Sequence, residues 1–307
     1  MSSSWNVQAN GKKARAGNCS DAIIIPSPVI NYVRPDLDCG SDIYGHAGPA
    51  DIWSPDKGFL VQSINSESYN LNFPTTGMDG LYFDLLITGI EPEELTWEPV
   101  THEGITATVT NVVANDEWIP KEDKGEVVAR VKLTGPEAKN QWYNPHPNPI
   151  AKPKLPQTFE LVGRDIKTND EVVKYGFVLR QWFVYLRAWR IYSDQLAWCN
   201  GLGYRMSRIR DLTNAKCGVH FNFPCINGVD GATPSSGHYQ YQRRIDAGFF
   251  TEWGDMLGYT DTGFKGYGGW ANGVPGSSRQ YHADSRCGWV VRHDNASNVD
   301  YAICTTP

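Results

Sequence analysis

The sequence lacks any apolar run near the ~20 residues that a membrane-spanning helix needs, and no apolar segment follows the basic residues near its N-terminus. We therefore expect a chain that does not itself span a membrane, either a cytosolic protein or a piece of a longer exported one. The sequence also lacks a basic stripe, since 28 Lys and Arg stand against 34 Asp and Glu. Because nucleic-acid binders carry such a stripe, we expect no nucleic-acid partner.

Catalytic fingerprints are also missing. The sequence contains no GxSxG, HExxH, P-loop or dinucleotide-binding pattern, and its seven His residues are scattered. His282, Asp284, His293 and Asp294 could fall on adjacent strands and form a small metal site, but solvated strand ends explain them better. We expect no enzyme, no cofactor and no metal.

The seven cysteines form no CxxC pair and have no zinc-finger spacing to His, which argues against a metal site. Disulfides in an oxidising compartment are the better interpretation. Cys19 and Cys39 lie in an irregular stretch that contains Pro and Gly, where a local bridge would replace a missing core. The odd number leaves one cysteine free or paired with another chain.

The sequence is rich in turn formers and aromatic residues, with 30 Gly, 19 Pro and 12% aromatics, and this composition favours many short strands. Within residues 61–181, five segments carry β-branched or aromatic residues between turn residues: LYFDLLITGI, GITATVTNVV, GEVVARVKL, QTFELVG and EVVKYGFVL. Such strands with one buried face predict an immunoglobulin-like β-sandwich. Residues 1–60 stay unassigned, as a loop-rich segment that could be the remnant of an upstream domain.

Residues 182–307 differ in pattern: short helix patterns and Gly-rich stretches replace the regular strands, which predicts a loop-rich α+β domain. A strand at 182–185 precedes a helix that Ser193 caps and that carries Cys199, and Ser207 caps a second short helix. The segments GWVVRHD and YAIC close the chain as two short strands. The first and last elements of this domain should therefore lie side by side.

The layout of this domain predicts which cysteines pair. A helix that begins the domain and a strand that ends it need tying together, so Cys199 should pair with Cys304. Cys217 and Cys225 should close a local loop, which leaves Cys287 without a partner. A bridge from Cys225 to Cys287 is the alternative.

Several motifs in order resemble the C-terminal passenger region of intimin- and invasin-like bacterial adhesins. YSDQLAWCNGLGYRMSRIRDLTN, RIDAGFFTEWGDMLGY and the ending YAICTTP are similar to their C-type lectin-like tip domain. NFPTTGMDGLYFDLLI and ELTWEPV resemble the immunoglobulin-like domain that precedes it. The resemblance covers residues 65–307 and implies a mainly β protein, an immunoglobulin-like β-sandwich followed by a C-type lectin-like domain.

The resemblance also implies a function. The chain would be a piece of an adhesin exposed on the bacterial cell surface, or secreted, and monomeric as a fragment. It would bind a host cell-surface protein, an integrin or another receptor, through the lectin-like domain. The alternatives are a carbohydrate-binding module and self-association in bacterial aggregation. Calcium-dependent sugar binding is disfavoured because the domain lacks the Glu-Pro-Asn or Gln-Pro-Asp loop and the Trp-Asn-Asp strand that supply its oxygen ligands.

The aromatic-rich stretch 239–281 holds the candidate binding residues. Interfaces are usually anchored by aromatic and Arg side chains, although several rings of a loop-rich domain must be core. We expect contact from the loop residues Tyr259, Phe264, Tyr267 and Arg279. Asp261 is added as an exposed carboxylate of the kind that an integrin metal site accepts.

Overall fold

Strands account for most of the regular structure in the computed structural model, which describes residues 27–40, 46–226, 228–272 and 280–306. Its first sheet has seven strands in the order β2-β3-β1-β5-β9-β8-β7, with all neighbours antiparallel. The strands are β1 (Val29–Arg34), β2 (Trp53–Ser54), β3 (Gly58–Leu60), β5 (Tyr82–Thr88), β7 (Val100–His102), β8 (Ile105–Val113) and β9 (Val127–Thr134).

A second sheet of three antiparallel strands packs against the first. It contains β6 (Leu95–Trp97), β10 (Gln157–Asp165) and β11 (Glu171–Leu179), in the order β11-β10-β6. In β8, alternate residues Ile105, Ala107 and Val109 are buried, as expected for a strand with one face on the core. The five predicted strand segments are confirmed, and the two sheets form a sandwich.

The third sheet has the order β16-β15-β14-β17-β12-β4. The short strand β13 also pairs with the C-terminal end of β17. Its strands are β4 (Thr76–Met78), β12 (Gln181–Ile191), β13 (Arg205–Met206), β14 (Gly268–Ala271), β15 (Gln280–Asp284), β16 (Val290–His293) and β17 (Val299–Thr305). As predicted, the first and last strands of the C-terminal part, β12 and β17, are antiparallel neighbours. Since β4 comes from the sandwich segment, this sheet also joins the two parts of the chain.

Three short helices accompany this sheet: α1 (Tyr192–Gly201), α2 (Ile209–Leu212) and α3 (Phe249–Trp253). Short 3₁₀ segments lie at Ser66–Leu71, which has a kink at Ser68, and at Pro92–Glu94, Lys139–Gln141, Met256–Gly258 and Thr260–Thr262. The helix α1 begins before Ser193 and has no side-chain cap, so the predicted Ser193 cap is wrong. The sequence pattern missed α3 because all five of its residues are buried, and a helix without an exposed face has no amphipathic period.

The sandwich and the C-terminal part share one hydrophobic core. Trp253 of α3 lies between sandwich residues, with its ring centroid 4.8 Å from Phe73 and 6.1 Å from Phe83. Its indole nitrogen donates a 3.0 Å hydrogen bond to the Thr76 carbonyl. The helix α3 is therefore as much a part of the sandwich core as of the C-terminal part.

Part of the N-terminal segment belongs to the sandwich sheet. Strand β1 pairs with β5 from Val29 to Arg34, so the sheet begins well before the predicted boundary at residue 61. The chain after β1 then contacts the C-terminal part. The buried guanidinium of Arg243 donates hydrogen bonds to the carbonyls of Asp36 and Asp38, at 2.5 and 2.9 Å.

Three disulfides are present among the described residues. Cys199 pairs with Cys304 and Cys217 with Cys225, which agrees with the pairs that the layout predicted. Cys39 pairs with Cys287, so the expected Cys19–Cys39 bridge is wrong, as is the expectation that Cys287 has no partner. The reason is that the contacts of Arg243 hold the chain after β1 against the C-terminal part. Cys19 itself lies outside the described residues.

Candidate functional site

A disulfide-closed loop lies beside β16, the edge strand of the third sheet farthest from β4. Phe223 is fully buried and anchors this loop, with its ring centroid 6.2 Å from that of Tyr281. The Arg292 amide of β16 donates a 2.9 Å hydrogen bond to the Asn222 carbonyl. The loop is thus fixed both by its own bridge and by the sheet edge.

Asp230 holds the base of the loop. Its carboxylate accepts hydrogen bonds from the Cys217 amide at 3.0 Å, the Lys216 ammonium at 2.6 Å and the Gly231 amide at 2.9 Å. Partial burial opposes its ionisation, but these three donors outweigh burial, and the pKa of Asp230 lies below its usual range. The carboxylate is therefore charged at neutral pH and keeps all three donors.

Four aromatic rings gather on this loop and its neighbours, and we call them the edge cluster: His220, Phe221, Tyr239 and Trp289. The His220 ring lies 4.4 Å from Phe221, 5.1 Å from Tyr239 and 5.7 Å from Trp289, centroid to centroid. Phe221 is 82% exposed and Tyr239 is 37% exposed. Protein-contact surfaces are often rich in exposed aromatic side chains on an ordered backbone, and this cluster has both properties.

Tyr259, one of the predicted contact residues, is a core residue. It is 1% exposed, its hydroxyl donates a 2.8 Å hydrogen bond to the Trp253 carbonyl, and the same oxygen accepts one from the Asp36 amide at 2.7 Å. A ring with no exposed surface cannot touch a receptor. The structure therefore removes Tyr259 from the candidate binding surface.

Asp261 contacts the sandwich, and Phe264 packs within the C-terminal part. The Asp261 carboxylate forms a 2.5 Å salt bridge with Lys132 of β9, and the Asp261 carbonyl accepts a 2.9 Å hydrogen bond from Lys139. Phe264 is half-buried and stacks on Tyr185 at 3.9 Å between centroids. Both residues therefore take part in internal packing, and Asp261 is not an unpaired carboxylate.

Tyr267 also has substantial free surface, at 47% exposure, as has the Asp261 side chain at 52%. The guanidinium carbon of Arg286 lies 5.8 Å from the centre of its ring. Arg279 lies outside the described residues. The five predicted contact residues are thus not brought together as one surface in the described part of the chain.

The histidines that could have formed a metal site have other partners. His282 Nδ1 pairs with the Asp300 carboxylate, and His293 Nδ1 is 2.8 Å from the Asn298 side-chain nitrogen. Burial lowers the pKa of His282, but the Asp300 carboxylate raises it more, so the net shift is upward. Elsewhere in the described chain, the ligand atoms of Cys39, His46 and Cys287 lie within 4.8 Å of one another, but both sulfurs belong to a disulfide and offer no thiolate.

Comparison with known proteins found one similarity. No protein-family model and no curated protein matches the sequence. The fold is similar to a crystal structure of invasin, a bacterial integrin-binding protein. The TM-score is 0.49 at 12% sequence identity, and the match covers 92% of this chain and 40% of that chain. The chain thus spans less than half the length of that protein. No helix among the described residues has the length and apolarity to cross a membrane.

The edge cluster was not predicted as a site. Tyr239 lies within the aromatic-rich stretch 239–281, but His220 and Phe221 lie before that stretch and Trp289 lies after it. One signal was available in the sequence. An adjacent His and Phe between two cysteines eight residues apart indicate side chains displayed on a closed loop.

Proposed function

We propose that the C-terminal part of the chain is the receptor-binding tip of a bacterial cell-surface adhesin and binds a host surface protein. The ordered sequence motifs that resemble intimin- and invasin-like adhesins support this proposal. In the structure it rests on one observation, the edge cluster, whose exposed Phe221 lies on a disulfide-closed loop. We propose that this cluster, rather than the loop 259–267, is the main contact surface.

The position of the cluster suits contact with another macromolecule. It lies at the sheet edge opposite β4, the strand that the sandwich contributes, and its Phe221 ring is open to solvent. Phe221 would be the central anchor because its ring is 82% exposed on a loop that a disulfide closes and that β16 holds by a hydrogen bond. Binding through a loop that is already ordered costs less conformational entropy than ordering a mobile one.

The test measures binding of the labelled full-length protein to cultured epithelial cells. The variant Phe221→Ala/Tyr239→Ala should lose at least about tenfold in affinity, since removal of an aromatic anchor costs roughly 2 kcal/mol or more. Tyr143→Ala is the matched control, because Tyr143 is a 77% exposed ring outside the cluster. Equal binding by both variants would contradict the role of the cluster.

Two further conditions separate the kinds of receptor. Saturable binding that is lost after protease treatment of the cells, and that survives EDTA, would support a protein receptor whose own metal is not essential. Binding that is lost in EDTA but retained on protease-treated cells would support a metal-dependent glycan ligand.

A glycan is the second candidate, because exposed ring faces such as that of Phe221 can also stack on sugar rings. Binding to a glycan array that is lost in Phe221→Ala/Tyr239→Ala would favour it. If neither cells nor glycans are bound, self-association through the same rings is the remaining function, and sedimentation at rising protein concentration measures it.

A further inference from the structure

A cavity of about 540 Å³ lies where the first sheet and the C-terminal part meet, and we call it the junction cavity. Five carboxylate side chains line it: Asp36, Asp38, Asp116, Glu117 and Asp255. Its rim carries the exposed residues Asp38, Glu117 and Arg286, while Asp36 and Asp255 are buried in its floor. The cavity is thus open to solvent and acidic at depth.

Four of these five carboxyl groups lack a salt bridge among the described residues. Asp116 forms a 2.6 Å salt bridge with Arg130, but none of the other four carboxylates has a basic group within 4.0 Å among the described residues. The nearby cation Arg243 donates to the main-chain carbonyls of Asp36 and Asp38 instead of to their carboxylates.

Asp36 supplies an independent sign of a ligand. Its side chain is 1% exposed, and its Oδ1 accepts a 2.8 Å hydrogen bond from the Asp38 amide. Its Oδ2 has no hydrogen-bond partner in the described part of the chain, and neither has the indole nitrogen of Trp118, a buried residue of the same cavity. Buried polar atoms are rarely left without a partner, so a carboxyl oxygen without one at the base of an acidic cavity favours a ligand that carries a hydrogen-bond donor.

Gly258 lies beside both unpaired atoms. A Cβ at this position would lie 2.3 Å from Asp36 Oδ2 and 3.3 Å from Trp118 Nε1. The two atoms therefore lie close together on the cavity floor, the indole N–H as a donor and Oδ2 as an acceptor. Burial raises the pKa of Asp36 well above its usual range, and the charges of Asp38 and Asp255 raise it further, so a cation that binds at Oδ2 would displace the Asp36 proton.

We propose that the junction cavity binds a basic side chain, lysine or arginine, presented by a protein partner. The ammonium or guanidinium group donates to Asp36 Oδ2 and is held by the carboxylates of Asp38 and Asp255. The volume suits an organic cation, because binding cavities for small groups begin near ~300 Å³. A divalent metal fits less well, since no three carboxylates of this cavity bring their oxygens within 4.8 Å of one another among the described residues. This inference is independent of the proposed receptor role of the edge cluster.

The test uses the full chain and N-acetyl-L-arginine amide as the probe, with N-acetyl-L-lysine amide as a second cation and N-acetyl-L-citrulline amide as the uncharged isostere. Calorimetry measures the affinity, and the indole N–H resonance of Trp118, assigned by its loss in Trp118→Phe, reports the site. Either cation should shift this resonance saturably, and citrulline should not. If Trp118→Phe fails to fold, the calorimetric difference between the cations and citrulline still tests the charge requirement.

Two variants locate the binding. Asp38→Asn should weaken binding about fivefold, as expected for one exposed carboxylate, and Asp38→Asn/Asp255→Asn should weaken it by at least about tenfold. Asp255→Asn keeps the Oδ1 that accepts from the Leu257 amide, so the local turn is retained. Asp56→Asn, which changes an exposed Asp outside the cavity, should bind as the parent does.

Three results would overturn the proposal. Citrulline that binds as well as the cations would mean that charge is not recognised. A shift of the Trp118 resonance by 5 mM CaCl₂ but not by the organic cations would assign the cavity to a metal ion. No binding by any probe would mean that the cavity is a structural feature.

Discussion

Glu252 should be one of the most sensitive positions in the protein, because it connects α3 to the sandwich. Its carboxylate is fully buried and accepts from five donors: the amides of Thr75, Thr76 and Asp246 and the hydroxyls of Thr75 and Thr76, at 2.5 to 3.1 Å. Burial raises the pKa of this carboxyl, and the donors lower it only in part. Three of the donors are backbone amides, which can only donate, so each of them needs an acceptor oxygen at position 252.

Glu252→Gln keeps the size of the side chain but turns one acceptor into a donor. If the new amide replaces Oε2, the Thr76 amide loses its acceptor, and if it replaces Oε1, the Asp246 amide loses its acceptor. Each buried unsatisfied amide costs roughly 1–3 kcal/mol, and the remaining bonds lose their charge assistance. We therefore expect Glu252→Gln to lose about 2–4 kcal/mol of unfolding free energy.

Urea unfolding followed by tryptophan fluorescence and circular dichroism measures this loss. Glu93→Gln is the matched control, since Glu93 is exposed, and it should stay within about 0.5 kcal/mol of the parent. A loss below about 0.5 kcal/mol for Glu252→Gln, with an unchanged denaturant slope, would refute the view that this carboxylate holds the two parts of the chain together.

Three further outcomes are expected. The double variant Cys217→Ser/Cys225→Ser should lose about 2.5 kcal/mol of unfolding free energy by the loop-entropy model, and it should also lose cell binding. A variant that loses stability but still binds cells would contradict a role of the closed loop in binding. The pKa of His282 is raised in the folded state by Asp300, so its stabilising effect is complete below its unfolded pKa and is lost as pH rises through the folded value. The urea midpoint should therefore fall from pH 6 to pH 8.5 more steeply in the parent than in His282→Gln, and equal slopes would contradict the pairing. Asp261→Asn should change cell binding less than about twofold, because its carboxylate is already held in a salt bridge, and a tenfold loss would restore it as a receptor ligand.

The five central sandwich strands could be predicted from the sequence because each carries its own signal. In β8 the alternation of Ile105, Ala107 and Val109 with polar residues reports one buried face, and turn residues mark both ends. The pairing of Cys199 with Cys304 was also predictable, because it follows from which elements begin and end the C-terminal part. These features depend on local pattern or on chain order.

Other features depend on contacts between distant residues and could not be predicted in this way. Strand β1 is a short segment in a loop-rich region, and its place in the sheet is set by pairing with β5. The partner of Cys39 is set by the contacts of Arg243, more than 200 residues away. The hydrogen bonds of Tyr259 to Trp253 and Asp36 hold its ring in the core. The Gly-rich sequence around Tyr259 has no hydrophobic periodicity from which this burial could be predicted.

The Cys39–Cys287 disulfide also has a mechanical consequence. It joins two cysteines that are 248 positions apart, one shortly after β1 and one two residues before Trp289 of the edge cluster. When the chain is pulled at the start of β1 and at Trp289, the covalent path runs along residues 29–39, across the sulfur bridge and on to residue 289. The chain between the two cysteines therefore lies outside the shortest load-bearing path, and a tensile force between these points stretches a short covalent tether instead of extending the intervening fold.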